Sequence, residues 1–269
     1  MKRRDIILIL ATATVVVCVG LTMQRPAAQA PAGTQIPRTA DGKPNFSSVW
    51  QALNTAAWDI QDHHADYVPG LPIQFAMPGG RGVVEGNEIP YNAAGLARKR
   101  ENFAKRMTLD PEAKCFLPGV PRIMYMPFPF EIVQTPRQIS MLFEYVHATR
   151  NIYVDSPHPK GPIEWWMGDS RARWEGDTLA VDIVHFNGQT WLDRAGNFLS
   201  EDAHLVERYT LMTPDHINYE VTVEDPQIFT RPWKMSMPLY RRKEMNAQIL
   251  DFECYTFGED GALSFGPRK

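Results

Sequence analysis

The chain has 269 residues, of which 44% are hydrophobic and 22% charged, and its net charge is −3. These values exclude a disordered or collagen-like chain, and the slight acidity excludes the basic footprint of a nucleic-acid binder. Twenty-two prolines and 18 glycines are scattered along it, which predicts short segments cut by turns.

Lys2, Arg3 and Arg4 precede an uncharged run from Ile6 to Met23, and Pro26 leads into Ala27-Ala28-Gln29-Ala30-Pro31-Ala32. A positive start, an apolar core and a small-residue cleavage region are the order of a secretory signal. Pro31 obstructs a cut after Ala30, so cleavage after Ala32 is expected and residues 1–32 are read as the signal. The alternative is an uncleaved anchor, since the apolar run is just long enough to cross a bilayer. Cys18 lies among valines, not the small residues of a lipidation site. The mature protein is expected in the periplasm or outside the cell, with 24 basic and 30 acidic residues and no second apolar run long enough for a membrane span.

Export changes how the cysteines read. Only Cys115 and Cys254 remain after cleavage, and two cysteines in an oxidising compartment are expected to form one disulfide. The alternative is a pair of buried thiols.

Residues 33–47 read as an extended polar arm, and 48–269 as a single β-domain with a loop-and-helix elaboration at 51–127. Asn45 to Trp50 supplies a first strand. Next comes a dense polar cluster, His63-His64 with Asp59, Asp62 and Asp66. Adjacent residues of an extended chain point to opposite faces, so an exposed polar loop is expected there and no metal site. One helix is predicted, near 93–107, with Asn92 as N-cap. Ala93, Leu96, Ala97, Arg100, Phe103, Ala104 and Met107 share one stripe, while Arg98, Lys99, Lys105 and Arg106 lie opposite. The stripe is only weakly apolar, which favours a solvated helix over a membrane-surface one.

Beyond residue 128 the pattern turns to period two. Strands are expected over 130–135, 139–145, 149–155, 171–175, 178–186, 204–212, 217–224 and 247–257, with Gly176-Asp177 as a hairpin turn. Short strands joined locally predict a mainly β fold, an antiparallel meander closing into a barrel or sandwich. Leu179, Val181, Ile183, Tyr219, Val221 and Val223 are its expected core side.

Three stretches resemble a family of secreted bacterial proteins without assigned function. They are Arg173-Trp174-Glu175-Gly176-Asp177-Thr178-Leu179, then Glu224-Asp225-Pro226 with Phe229-Thr230-Arg231-Pro232-Trp233, and Cys115-Phe116-Leu117-Pro118-Gly119-Val120-Pro121-Arg122. The similarity covers most of the mature chain and implies no activity. A fainter likeness to lipocalin-type barrels rests on an early-strand Trp50 followed by a meander, with Ser48 where those proteins carry glycine.

The chain has no G-x-S-x-G, P-loop, G-x-G-x-x-G, H-E-x-x-H or C-x-x-C motif, so no cofactor is expected. Chemistry is sought on the strands instead. Arg173 and Trp174 stand among alternating acids and arginines, suited to an anionic or aromatic ligand or to a plain ion-pair ladder. Trp165-Trp166 and Trp191, near Asn187 and Asp193, form another aromatic-polar candidate. On the 204–208 strand, His204 and Arg208 share one face and Glu207 takes the other. His204, Asp182 and Arg208 are the chosen catalytic-type group, since an arginine and a carboxylate beside an imidazole hold an anion and move a proton. Arg173, Trp174, Glu207 and Trp191 are the ligand-binding candidates.

Three function classes follow: an exported small-molecule-binding protein, which the absence of catalytic motifs favours; an isomerase, lyase or hydrolase using strand-borne acids and bases; and an envelope interaction module.

Overall fold

The computed structural model describes residues 35–66 and 76–254. The expected signal, part of the Pro/Gly loop and the last residues of the 247–257 segment lie outside them.

Nine strands follow in chain order: β1 (Ser48–Ala52), β2 (Phe130–Gln134), β3 (Gln138–Phe143), β4 (Thr149–Val154), β5 (Asp169–Glu175), β6 (Thr178–Val184), β7 (His204–Thr213), β8 (His216–Glu224) and β9 (Trp233–Arg241). Each pairs with its sequence neighbour, and β9 returns to β1 to close a barrel. Closure decides a point the meander left open. A ring with an odd number of strands cannot alternate direction all the way round, so at least one pair must run parallel. That pair is β4 with β5, and residues 155–168 cross back over the outside of the wall to make it.

The β5–β6 hairpin turns at Gly176-Asp177, with Gly176 at φ +62° where a side chain is disfavoured. The same alternation fills the interior. Leu179, Val181, Ile183, Tyr219, Val221 and Val223 are at most 1% exposed, whereas Thr178, Asn218 and Glu220 are half-buried. Each such buried side chain contributes roughly 1.5–3 kcal/mol. The arm plugs one end: Phe46 is buried, stacks on Trp174 and accepts the Trp50 indole N–H on its carbonyl at 2.7 Å. Arg38 donates to both oxygens of Asp177 at the hairpin tip, at 2.9 and 2.7 Å.

The opposite end is capped by the long connections 53–129, 185–203 and 225–232. Within the first, α1 (Ala93–Ala104) starts at Asn92, whose side chain accepts from the Gly95 amide at 2.8 Å, as expected of its N-cap. It ends at Lys105, and a separate turn, α2 (Arg106–Leu109), follows. The buried face of α1 is not the predicted stripe. Gly95 and Asn102 face inward and Leu96 is exposed. Gly95 admits the Ile228 carbonyl, and Asn102 donates to the Gly196 carbonyl at 3.2 Å. Close backbone approach, not apolar periodicity, seats this helix.

The last strand also departs from expectation. Residues 247–254 carry only a bridge from Phe252 to Tyr145, while Trp233–Arg241 is a strand. Pro238 reads as a breaker in sequence. It is tolerated because β1 pairs only with residues 239–241, leaving Pro238 beyond its end. The tail then brings Cys254 to Cys115, their Cα atoms 5.5 Å apart in a disulfide.

Candidate functional site

The side chains expected to form a site divide among three environments. On the outer wall, His204 Nε2 lies 3.0 Å from Asp182 Oδ1. Arg208, on the same face, does not join them: it pairs with Glu175 at 2.7 Å, which Arg173 also contacts at 2.7 Å. Trp174 is half-buried under Phe46, with Lys43 over its ring. Trp191 is buried in the cap, bridged to Phe198.

Glu207 points into the barrel and is fully buried. Its oxygens accept from Arg150 at 3.1 and 2.7 Å, from Tyr209 at 3.0 Å and from Tyr219 at 2.5 Å, and Arg150 also donates to Ser170. A carboxylate so fully engaged holds the lumen together. Burial, with the negative Glu207 beside them, pushes both tyrosine hydroxyls well above their ordinary pKa.

The cap gathers the more reactive set. Asp193 is fully buried and accepts from the Ile60 amide at 3.0 Å and from Asn197 through its amide at 3.1 Å and side chain at 2.5 Å. Tyr91 donates to Asn197 at 2.8 Å. Three donors favour the carboxylate, but burial first and the neighbouring Asp59 second raise the Asp193 pKa to about 7. Burial raises Asp59 as well. Arg194 lies over the Trp58 ring, 5.1 Å from its centroid, and donates to both oxygens of Glu112. Glu112 also accepts from buried Arg122 at 2.6 Å.

In the segment that carries Asp59, three buried polar atoms have no hydrogen-bond partner: Thr55 Oγ1, Trp58 Nε1 and His63 Nε2. The segment turns tightly after Thr55. The Trp58 and Asp59 amides both donate to the Thr55 carbonyl, and His63 exchanges backbone hydrogen bonds with Gly80, whose missing side chain makes room for Thr55. The His63 Nδ1 atom sits 2.7 Å from the Gln61 carbonyl, so in the neutral ring it carries the proton and leaves Nε2 as an acceptor. Asp62 is committed to the Gly82 amide at 2.7 Å. Sequence reading singled out the polar run 59–66 and, separately, Asp193, but did not join them, because nothing in spacing links segments 133 positions apart such as Ile60 and Asp193.

The chain matches no protein-family model, no curated protein and no solved structure.

Proposed function

We propose that this is an exported protein that binds a small hydroxylated molecule, aromatic or saccharide, at the capped end of its barrel. The observation that carries the reading is the trio of unpartnered buried atoms in the segment of Asp59. Nine in ten or more buried polar groups of folded proteins find a partner, and here two donors and one acceptor go without within nine residues of chain. A ligand hydroxyl both donates and accepts, so it matches this mixture, and Trp58 offers an indole against which a ring can pack. An anion is the poorer fit, because Asp59 and Asp193 stand together and Glu112 already engages Arg194. The signal-like N-terminus and the cysteine pair at disulfide distance support export.

The test is metabolite capture by the purified mature chain, read by native mass spectrometry. A hydroxylated compound should be retained by wild type and by Arg208→Ala, and lost by Trp58→Phe and Asp59→Asn. Retention by both of the latter variants overturns the assignment. Cell fractionation with N-terminal sequencing tests export.

A second reading, acid–base catalysis on the same ligand, is favoured by the coupled carboxyls alone. Two acids whose surroundings shift their titration are the usual raw material of proton transfer, and Asp59, the less buried of the two, is the one that meets a ligand.

A further inference from the structure

After β9, residues 242–254 form a strap whose end, Cys254, is bonded to Cys115. The strap docks on the turn between β3 and β4. The Leu250 amide donates to Glu144 Oε2 at 3.0 Å, Phe252 bridges to Tyr145, and His147 faces Glu253 at 3.7 Å. The Phe252 ring packs on two others, its centroid 4.4 Å from that of Phe128 and 5.7 Å from that of Tyr145. Tyr145 beneath is 2% exposed, yet no residue of the strap is itself buried.

These contacts are few and open to water. An ion pair with both side chains near half exposure contributes little, and Phe252 is only half-buried. The disulfide makes re-seating of the strap a local event, because it keeps the strap end close to its partners. The two ends of that bond differ. The Cys115 amide donates to the Glu112 carbonyl at 3.0 Å, and the Glu112 carboxylate is held by Arg122 and Arg194. Cys254 ends the strap. When the bond opens, the Cys115 turn therefore stays in place and the strap departs.

We propose that the Cys115–Cys254 disulfide is a redox-operated latch, which an external dithiol opens to release the strap and uncover Phe128 and Tyr145 while the barrel stays folded. Both cysteines are half-buried, so a thiolate can reach the bond. The attack falls on Cys115 Sγ. A bond forms from the dithiol's sulfur to Cys115, the bond to Cys254 breaks, and its electron pair leaves on Cys254 as a thiolate. The Tyr145 hydroxyl, 4.0 Å from Cys254 Sγ, donates to that thiolate. Burial holds the Tyr145 pKa above its ordinary value, so the hydroxyl keeps its own proton. The dithiol's second thiolate then attacks its partner sulfur in the mixed disulfide and displaces Cys115. The two protons lost by the dithiol end on Cys115 and Cys254. The protein gains two electrons, and the dithiol becomes a disulfide.

The test uses the mature protein purified with its disulfide intact and treated with dithiothreitol in native buffer. Chymotrypsin, with its cuts mapped by mass spectrometry, reads release of the strap at Phe252, and far-ultraviolet circular dichroism reads the barrel. Reduction should speed cleavage after Phe252 at least about tenfold, since cleavage tracks the opened population, and should leave the barrel spectrum unchanged. Reoxidation should restore protection. A Cys115→Ser/Cys254→Ser chain should be cleaved without reductant as fast as reduced wild type. Tyr145→Phe should slow reduction about threefold or more, because a less stabilised thiolate leaves more slowly. Protection of Phe252 unchanged after reduction overturns the proposal, as does a disulfide that dithiothreitol opens only while the barrel unfolds.

Discussion

Removing the Glu207 carboxylate should expose how much the barrel interior depends on it. Glu207 and Arg150 are 0% and 3% exposed, and the guanidinium has Ser170, Tyr209 and Glu207 as partners. Glu207→Leu leaves Arg150 buried without a counter-ion, and arginine cannot shed its charge. Breaking one side of such a pair costs about 3–5 kcal/mol. Tyr219 and Tyr209 also lose their acceptor, at about 1–3 kcal/mol for a buried group left unpaired. For a domain of this size each kcal/mol lowers the melting temperature by about 2–4 °C, so a fall of at least about 6 °C is expected. Arg150→Met in the same chain removes the orphaned charge and should restore part of the loss. Guanidinium unfolding of wild type, both single variants and the double variant, with the disulfide intact, closes the cycle. If the two single effects add to within about 0.5 kcal/mol, the charges are not coupled and the reasoning fails.

Other outcomes follow from the same geometry. Asp193 binds its proton more tightly folded, to about 7, than unfolded, near 3.9, so the folded state holds the extra proton between those values. Stability should therefore fall as pH rises from about 4 to about 7 and then level off. Asp59→Asn removes one cause of the shift, and carbon NMR titration should find the Asp193 midpoint lower. Arg208→Ala breaks a half-exposed pair with Glu175 and should change unfolding free energy by less than about 1 kcal/mol. Cys254→Ser opens a link spanning 139 positions and should cost up to about 4–5 kcal/mol on loop-entropy grounds. Two thiols alkylated without reductant in exported protein would show the link absent.

What was legible in the sequence was local. Period-two alternation along 178–186, 204–212 and 217–224 identified strands and their inward faces, because consecutive side chains of an extended chain must point opposite ways whatever lies beyond. The Gly176-Asp177 turn and the Asn92 cap are likewise matters of a few bonds. Tertiary structure decided the rest. Ring closure over nine strands required a parallel pair, a consequence of strand number that no single segment carries, and it falls at β4–β5. Pro238 entered a strand because its neighbour ends one residue short of it. Alternation turned Glu207 away from His204, but its place at the barrel centre depended on Arg150, Tyr209 and Tyr219 meeting it there. Asp193 acquired its raised pKa from burial and from Asp59, a residue far away in sequence. A charge inside a protein is tolerable only with partners, and partners are assembled by the fold.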